Sequence, residues 1–514
     1  MLGQASQYVL YLPTAALAAV ALWLAAQLVL KPRKNSLPPG PRRLPLIGNA
    51  LELRKGKTME EMIALWWEQY GNIVYVNIFG REIVFINDLG MAQELTEKRG
   101  AIYSDRPALP MFELLGWKDT LITMPYGNQF RKHRRMMNAV LSEKAVDSFG
   151  PVQANSAILL VKLLASDAGK DLEVHISTYT ASTIMKIAYG HDVKSLEDPI
   201  VKMSLEALTK TLEFGTVSTT ILDFIPALKH LPTWAPGAGF KRRALALRGK
   251  VELSQSLPYE QVKQQIRNGT APECFVTTNI QDCGGLDNLT PQDESDIQGA
   301  AAALYTAAEE TTLAVVHSFF LAMLLNPKVY KAAQEEMEQV IGVDRLPNPD
   351  DMSSLPYLDA VMRELYRWTA PTSINAPHRV KEDDVYQGYY IPKGANVIVN
   401  NFGLLQACPE PERFLPERFL EGTKLGSVPT NPRDVVFGFG RRRCPGWHFA
   451  DRSVWVAVAH VTALFDIIPE VDEKGQKIIP PQEFGTSNVR HPKHFPCRVV
   501  PRADRKKLLE KVLD

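Results

Sequence analysis

A short segment near the C-terminus combines residue types that could bind the iron of a flat, anionic ligand. The segment, Phe437-Gly-Phe-Gly-Arg-Arg-Arg-Cys444-Pro-Gly446, places one cysteine behind three arginines and before an apolar stretch, Trp447 to Leu464, that is predicted to be helical. A cysteine at a helix start lies near the positive end of the helix dipole, which favours the thiolate. Gly440 and Gly446 allow a tight turn and close approach of a flat ligand, and Arg442 can pair with its anionic group. These features meet the requirements for holding heme iron by a cysteine thiolate.

The spacing of five residues in this segment resembles the heme loop of the cytochrome P450 monooxygenases. Phe437, Gly440, Arg442, Cys444 and Gly446 match the family pattern Phe-x-x-Gly-x-Arg-x-Cys-x-Gly. The resemblance implies that heme b (iron protoporphyrin IX) is the cofactor and that Cys444 is the axial ligand of its iron. From the residues alone, a buried structural cysteine in a turn is the alternative. A zinc site is not favoured, because Cys444 and His448 have no second Cys/His pair of the usual spacing.

A second motif lies within the longest predicted helix, Pro291 to about Leu325. Ala307-Ala-Glu-Glu-Thr-Thr312 resembles the family's oxygen-activation motif, Ala-Gly-x-Asp/Glu-Thr-Thr, which implies that Glu310 and Thr311 manage protons during oxygen–oxygen cleavage. A threonine hydroxyl inside a helix tends to bond to a backbone carbonyl and disturb the helix, so we expect a groove there. Ala308 stands where the family has glycine, and its methyl group narrows that groove. The alternative is a solvated face of a surface helix, although the apolar flanks favour burial.

Three charged residues are candidates for a buried ion-pair network. Glu364-Leu-Tyr-Arg367 lies on a helix predicted from Leu358 to Trp368, where a Glu-x-x-Arg pair is usually an ordinary surface pair. The segment Pro416-Glu-Arg-Phe419 follows it and precedes the cysteine loop. This order resembles the family's Glu-x-x-Arg and Pro-Glu-Arg-Phe segments. The resemblance implies that Glu364, Arg367 and Arg418 brace the heme loop in a structural role.

Further basic residues are candidates for pairing with the two heme propionates, besides Arg442. Arg134 ends a segment that resembles the family's Trp-x-x-x-Arg, with Phe130 in the tryptophan position. A phenyl ring keeps the packing there but lacks the indole N–H. His378 and Arg106 occupy two more family positions, for which an ordinary surface or turn residue is the alternative.

Composition limits the functional classes. The chain has 514 residues, of which 45% are hydrophobic and 22% charged, typical of a globular protein. Its net charge of +1 excludes a general attraction to nucleic acid. Five cysteines are too few and odd in number for a disulfide framework, which indicates a reducing compartment.

The N-terminal region predicts a membrane location. Residues 8–30 carry no charge and are long enough to cross a bilayer, and Lys31, Arg33 and Lys34 follow at once. Since positive flanks stay cytosolic, we expect a single-pass anchor in the endoplasmic reticulum membrane with the rest of the chain in the cytosol. A cleaved signal peptide is the alternative, but it would have positive charge before the apolar run. Residues 31–50 form a basic, proline-rich hinge, which resembles that of fungal microsomal members of secondary metabolism.

The fold class is predicted as mainly α with small β-sheets, and the resemblance implies the cytochrome P450 fold. Residues 51–514 would form one heme-thiolate monooxygenase domain. Alternating apolar residues predict hairpins over Asn72 to Asp88 and over Tyr389 to Asn400 around Pro392-Lys-Gly394. Helical periodicity predicts further helices over Lys132 to Leu141, Asn155 to Leu164 and Met203 to Leu212.

The implied activity is insertion of one oxygen atom from O2 into a hydrophobic small molecule of the terpenoid, sterol or polyketide type. Electrons would come from NADPH through a separate reductase that docks on a basic patch of Arg131, Lys132, Arg135, Arg441 and Arg443. The implied substrate contacts are the Pro110 to Leu121 region, Ala303, Ala307, Thr372 to Asn375 and Phe484 to Ser487. Two alternatives are a heme-thiolate isomerase or dehydratase that needs no reductase, and a non-catalytic heme-binding membrane protein.

Overall fold

The computed structural model describes residues 36–52, 58–117, 119–215, 220–422, 430–485 and 489–514. The predicted membrane anchor, residues 8–30, lies outside the described residues, as does the first part of the hinge. Within the described ranges, one helix, Pro291–Leu325, is long and apolar enough to cross a membrane. Most of that helix is buried inside the protein, where it forms the core around which the other helices pack.

Helices make up most of the described chain, and the predicted helices are confirmed. The helix after the cysteine loop begins and ends where the apolar stretch predicts. The α-helices are α1 Met59–Tyr70, α2 Leu89–Gln93, α3 Gly100–Tyr103, α4 Pro110–Leu115, α5 Asn128–Leu141, α6 Glu143–Ser148, α7 Gly150–Asp167, α8 Leu172–Tyr189, α9 Pro199–Leu212, α10 Ile221–Phe224, α11 Gly239–Arg267, α12 Phe275–Asp282, α13 Pro291–Leu325, α14 Pro327–Val340, α15 Pro356–Thr369, α16 Asn401–Gln406, α17 Pro432–Val436, α18 Trp447–Leu464 and α19 Lys506–Leu513.

Short strands form three small sheets. The larger sheet has the order β1-β2-β6-β3, and the two smaller sheets are β4-β5 and β8-β7-β9. The strands are β1 Ile73–Ile78, β2 Arg81–Ile86, β3 His378–Arg379, β4 Asp384–Tyr386, β5 Tyr389–Ile391, β6 Asn396–Val399, β7 Phe465–Val471, β8 Lys477–Ile478 and β9 Cys497–Pro501.

One of the two predicted hairpins is confirmed and the other is wrong. Strands β1 and β2 pair antiparallel, with Ile73 opposite Ile86. Strand β5 does not pair with β6 across Pro392-Lys-Gly394 but with β4, while β6 pairs parallel with β2 and antiparallel with β3. All four residues of β6 are buried, so this strand takes an interior position in the larger sheet, which its local turn signal does not reveal.

The long helix α13 begins with a capping box. Thr290 Oγ1 accepts a hydrogen bond from the backbone N–H of Asp293, and the Asp293 carboxylate accepts one from the backbone N–H of Thr290, both at 3.1 Å. The helix packs against α8 and α18. In its C-terminal half, Phe319 belongs to an apolar cluster that also contains Trp455 and Phe465. This packing fixes α13 in the interior, where its motif residues are held on a rigid element.

The described part of the proline-rich hinge is attached to the larger sheet. The backbone N–H of Tyr75 in β1 donates to the carbonyl of Pro39 at 2.8 Å. A Cβ at Gly40 would lie 2.0 Å from the Tyr75 carbonyl oxygen, so only glycine allows this approach. The hinge therefore leaves the folded part along a defined path beside β1.

Candidate functional site

The cysteine loop is a compact turn between α17 and α18. The backbone N–H of Cys444 donates to the carbonyl of Phe437 at 2.8 Å, which closes the loop. Gly440 has a φ of 55°, and a Cβ there would lie 2.2 Å from the carbonyl oxygen of Thr96, so only glycine fits. Gly446 precedes α18, and a Cβ there would lie 4.0 Å from Cys444 Sγ. Residue 446 therefore lies in the immediate surroundings of the sulfur.

The electrostatics of Cys444 differ from the prediction. Burial raises the pKa of the Cys444 thiol, whereas the backbone N–H of Gly446 and the guanidinium groups of Arg134 and Arg443 lower it. The backbone N–H at the helix start lowers the pKa, in the direction that the sequence predicts, but the net shift is upward. Desolvation of the charged form outweighs the helix terminus and both cations. Coordination to a metal cation reverses this balance, because a coordinating thiol is deprotonated.

Two predicted propionate residues, Arg442 and Arg106, lie together in the interior. Arg442 donates from Nε to the Ser104 carbonyl and from Nη2 to the Met124 carbonyl, each at 2.8 Å. Arg106 donates to the carbonyl of Pro377 at 2.6 Å, and its Nε is buried with no hydrogen-bond partner. Burial and, to a smaller extent, the charge of Arg442 together lower the pKa of Arg106 to about 9. Burial also lowers the pKa of Arg442 to about 10.

His378 belongs to the same positive cluster. It is almost fully buried in β3, and its Nδ1 lies 2.8 Å from the carbonyl oxygen of Tyr103. Burial lowers the pKa of His378, and the charges of Arg106 and Arg442 lower it further. Asp105 offsets both arginines in part, but it is itself paired with Arg379 at 2.6 Å. The cluster therefore lacks the negative charge that would balance it within the described part of the chain.

Arg134 lies between this cluster and the cysteine. Its Nη1 donates to the carbonyl of Arg443, and burial lowers its pKa while the Cys444 sulfur raises it. Its positive charge also lowers the pKa of Arg442, so the two guanidinium groups lie close enough to repel each other. Phe130, one turn earlier on α5, is buried under the Arg442 guanidinium. The phenyl ring thus keeps the packing that the family's tryptophan position implies.

One face of α13 is open although the helix is otherwise buried. Ala303, Thr306, Ala307, Glu310 and Thr311 recur at helical spacing and are partly or fully exposed, while Glu309 and Thr312 are buried. Thr311 Oγ1 donates to the carbonyl of Ala307 at 2.8 Å, as the motif predicts. The helix nevertheless stays continuous through this point, so the predicted disturbance does not interrupt it. The interpretation as a solvated surface helix is wrong, because the flanking turns are packed in the core.

The acid of the motif, Glu310, is half-buried on this open face. Burial raises the pKa of its carboxyl group, and the nearby His491 lowers it. A carboxyl whose pKa is raised can hold or release a proton closer to neutral pH than a solvated one. Ala308 is partly buried, and its methyl group packs against the neighbouring apolar cluster.

Glu364, Arg367 and Arg418 meet in the interior. Arg367 donates from Nε and Nη2 to the two carboxylate oxygens of Glu364, at 2.7 and 2.8 Å, and both side chains are fully buried. Arg418 Nε lies 3.5 Å from Glu364 Oε1. The backbone N–H of Leu415 also donates to Glu364 at 2.7 Å, and Arg367 donates to the carbonyls of Pro411 and Arg413. The pair therefore fixes the segment before the cysteine loop to α15.

A second buried network was missed from the sequence. Arg433 on α17 pairs with Asp359 on α15 at 2.8 Å and with Asp451 on α18 at 2.9 Å. Between these helices, the ring of Phe437 lies edge-on to Tyr366 of α15, with 5.6 Å between centroids. The sequence signal for this network is an arginine four residues before the loop, but its partners are distant in sequence.

The predicted basic patch is smaller than the sequence indicates. Arg131, Arg134, Arg135 and Arg441 line an open groove of about 620 Å³ together with Tyr126, Phe130 and Gly440. Lys132 does not line this groove but pairs with Asp293 and Asp296, at 2.6 Å each. The prediction that Lys132 belongs to the basic patch is therefore wrong. Arg443 pairs with Asp434 at 3.2 Å and lies over Trp447.

The predicted substrate contacts are only partly open. Ala303 and Ala307 lie on the open face of α13, whereas Met111, Leu115 and Trp117 of the α4 region are buried in their own apolar cluster. The Phe484 ring packs edge-on to Trp368, with 5.1 Å between centroids, and Thr486 and Ser487 lie outside the described residues. Among the predicted contacts, Ala303 and Ala307 on the open face of α13 therefore offer a place where an apolar molecule can lie beside Glu310 and Thr311.

The residues present fit heme with its two propionates. Cys444 supplies a sulfur ligand in a loop closed by glycines, and a helix face stands open beside an acid and an alcohol. The buried cluster of Arg106, Arg442 and His378 has excess positive charge, and Arg106 Nε lacks a partner. Buried cations without counter-charges are costly, so two carboxylates at this place would complete the cluster.

Comparisons with known proteins agree with this arrangement. The cytochrome P450 family model matches residues 38–495. The chain is 42% identical over 501 residues to the cytochrome P450 monooxygenase eriC of Hericium erinaceus, covering 96% of this chain and 98% of that protein. It is 37% identical to cytochrome P450 monooxygenase 136 of Postia placenta, with coverages of 91% and 89%. It is 35% identical to the cytochrome P450 monooxygenase ple1 of Rhodocybe pseudopiperita, with coverages of 94% and 92%. Since the family match includes the cysteine loop and the α13 motif, and the relatives are monooxygenases, this chain is an oxidoreductase that belongs to the cytochrome P450 family.

Proposed function

We propose that this enzyme inserts one atom of dioxygen into a hydrophobic small molecule, with electrons delivered from NADPH by a separate reductase. The observation that carries the proposal is the open face of α13, where the acid and alcohol, Glu310 and Thr311, adjoin the apolar Ala303 and Ala307. This face can hold an apolar molecule beside groups that manage protons. A terpenoid, sterol or polyketide of fungal secondary metabolism is the substrate class that its apolar character supports.

The proposed roles of the side chains follow from their environments. Heme b, held through Cys444, supplies the reductive activation of dioxygen when bound. Arg442, Arg134, His378 and Arg106 bind its propionates and offset their charge. Thr311, whose hydroxyl proton is committed to the Ala307 carbonyl, presents its oxygen lone pairs to the open face. Burial raises the pKa of the Glu310 carboxyl group, which supports a role in taking up and releasing protons at that face.

Phe437, Gly440 and Gly446 shape the cysteine loop, and the buried ions brace it. Glu364, Arg367 and Arg418 anchor the segment that precedes the loop, and their burial away from the open face of α13 supports a structural role. Removing one member of a buried pair leaves an uncompensated charge, which is costly. We therefore assign these three residues to stability of the loop and not to chemistry.

The arginine-lined groove is the proposed docking surface for the reductase. Arg131 and Arg135 are exposed, and Arg441 lies over the Tyr126 ring with 5.3 Å from Cζ to the centroid. The groove ends at Arg134, whose guanidinium acts on the Cys444 sulfur. An acidic donor bound in this groove would therefore be close to the sulfur side of the cofactor.

A membrane location is supported by five exposed apolar side chains, those of Leu46, Leu51, Phe79, Ile225 and Trp234. Their exposed fractions range from 41% for Ile225 to 81% for Trp234. The Phe79 N–H donates to the Ile47 carbonyl, and the Phe79 ring contacts Phe224, so hinge, hairpin tip and loop share this surface. Exposed apolar surface of this kind fits contact with an endoplasmic reticulum bilayer, and we propose that residues 8–30 cross it once and that residues 51–514 form the cytosolic catalytic domain.

Two other functions are tested by the same experiment. A heme-thiolate isomerase or dehydratase would use the same loop without NADPH, and a non-catalytic heme-binding protein would give the heme spectrum alone. The full chain with reductase and NADPH is incubated with terpenoids, sterols and polyketides, and products are read by mass. We expect a gain of one oxygen that requires NADPH. A product of unchanged mass without NADPH supports the isomerase, and heme binding without NADPH consumption supports the binding protein.

A further inference from the structure

A second cavity, of about 610 Å³, lies between the start of α8, the C-terminal third of α13 and the β7–β9 sheet; we call it the inlet cavity. Its lining includes Glu173 and Val174, which are exposed at the surface, and His317, which is only 3% exposed. The His317 ring stacks on Phe495 with 4.8 Å between centroids. The inlet cavity therefore leads from solvent to the interface between α8 and α13.

A buried carboxyl group, that of Glu309, stands further along that interface, and its partner Ser177 lies one turn along α8 from Glu173. Ser177 Oγ on α8 donates to Glu309 Oε1 on α13 at 2.8 Å. Glu309 is 4% exposed, and its side chain faces α8 while the adjacent Glu310 lies on the open face. Glu309 occupies the variable position of the motif, for which the sequence pattern assigns no function.

The surroundings of Glu309 are polar but supply little charge compensation. The Tyr305 hydroxyl group, one turn earlier on α13, is buried with no hydrogen-bond partner among the described residues. The titratable groups facing Glu309 are Tyr305 and Glu310 on its own helix and Glu173 on α8. The pKa of Glu309 is raised to about 7, because burial and the charges of Glu310 and Glu173, which raise it, outweigh the Ser177 hydrogen bond, which lowers it. Such a carboxyl group takes up and releases protons at neutral pH.

We propose that Glu309 is a proton relay, through which protons from the inlet cavity reach Glu310 and Thr311. Once Glu310 has given up its proton, protonated Glu309 supplies a proton to the Glu310 carboxylate and becomes a carboxylate, and water of the inlet cavity then returns a proton to Glu309. No electron or further reactant takes part. The inference rests on the proposed roles of Glu310 and Thr311, and it makes Glu309 a positioning residue that acts through Glu310.

The first experiment compares the full chain with Glu309→Gln and Ser177→Ala variants, using reductase, NADPH and a substrate found by the mass assay. Gln keeps the shape and the Ser177 contact but cannot pass a carboxyl proton. We expect Glu309→Gln to lower the product formed per NADPH at least threefold and to remove a transition near pH 7 from the rate profile. Ser177→Ala should move this transition to higher pH, because it removes the hydrogen bond that lowers the Glu309 pKa.

A matched control is Ser318→Ala on the same helix. Ser318 is fully buried, and its Oγ donates to the Ala314 carbonyl at 2.7 Å, away from Glu309. This variant should leave both the yield per NADPH and the pH profile unchanged. A second readout does not depend on turnover: an infrared carboxyl band that is absent in Glu309→Gln should titrate near pH 7 in the wild type and higher in Ser177→Ala.

The outcomes separate this inference from the proposed function. If Glu310→Gln and Thr311→Ala lower the yield per NADPH but Glu309→Gln changes neither yield nor pH profile, the relay is wrong and the proposed function stands. If Glu310→Gln and Thr311→Ala also leave the yield unchanged, the proposed roles themselves fail. Should Glu309→Gln not fold, Ser177→Ala decides: an unmoved carboxyl band and transition would overturn the relay.

Discussion

The guanidinium group of Arg442 lies over the ring of Phe130, with 3.8 Å between Cζ and the ring centroid. Both belong to positions that resemble family heme contacts, and Phe130 replaces the family's tryptophan. The ring is only 3% exposed, so this cation–π contact is desolvated and holds the arginine toward the cluster with Arg106.

Replacing Phe130 by Leu removes the ring face while it keeps an apolar side chain. Since desolvated cation–π contacts contribute roughly 1–2 kcal/mol, we expect heme to dissociate about tenfold faster. Phe130→Trp should slow dissociation, because it adds the indole N–H donor. Heme transfer to apomyoglobin measures the rate, with Phe402→Leu, a ring that contacts Arg490 elsewhere, as the control. Equal rates for the Leu variant and the wild type would contradict this role.

The Glu364–Arg367 pair should contribute to stability far more than a surface pair. Glu364→Gln leaves Arg367 buried without its counter-charge, which costs about 3–5 kcal/mol in the free energy of unfolding. The control is Glu213→Gln, which breaks an exposed pair with Lys210 and should cost less than about 1 kcal/mol. Urea unfolding measures the free energy of unfolding of both variants. A loss below about 1 kcal/mol for Glu364→Gln would show that the buried network does not stabilise this fold.

Glu309 should make stability depend on pH. Its pKa is raised from 4.5 to about 7 in the folded state, so the folded chain binds this proton more tightly than the unfolded chain. That contribution is complete below pH 4.5 and is lost as the pH rises through 7, at about 3 kcal/mol in total. Glu309→Gln lacks this dependence and should gain stability relative to the wild type between pH 5 and pH 8. Thermal unfolding of the wild type and of Glu309→Gln at pH 5 and pH 8 tests this. A stability difference between the two proteins that is the same at both pH values would contradict it.

Charge reversal in the arginine-lined groove should slow reductase binding. The double variant Arg131→Glu and Arg135→Glu removes two exposed cations, and we expect about tenfold slower association at low salt. The difference should shrink at high salt, because exposed charges are screened. Stopped-flow reduction rates measure the effect. The exposed Lys506 and Lys507, changed to Glu, form the control on a remote helix, and an equal slowing by this control would rule out the groove as the specific docking surface.

Trp234 should report contact with the bilayer. In the full chain reconstituted into lipid, brominated acyl chains quench tryptophans that enter the hydrocarbon boundary. We expect a quenched component that disappears in Trp234→Phe, because Trp234 is an apolar side chain that is 81% exposed. The same protein in unbrominated lipid is the control. Identical quenching in the wild type and in Trp234→Phe would place this side chain in water.

The cysteine loop and the long helix show how much the local pattern determines. The spacing from Phe437 to Gly446, the ends of α18 and the capped start of α13 follow from residues close together in the chain. Helix periodicity and caps act over one or two turns, so the sequence alone predicts these elements. The comparisons confirm the family that this spacing resembles.

Long-range packing decided the remaining features. The pairing of β6 with β2, the pairs of Arg433 with Asp359 and Asp451, and the turn of Lys132 toward Asp296 join residues far apart in sequence. Burial likewise raised the Cys444 pKa against the helix dipole. The sequence by itself therefore determined which side chains could ligate iron and handle protons. Only the tertiary structure decided which charges are desolvated and which are paired, because both depend on neighbours that no local pattern contains.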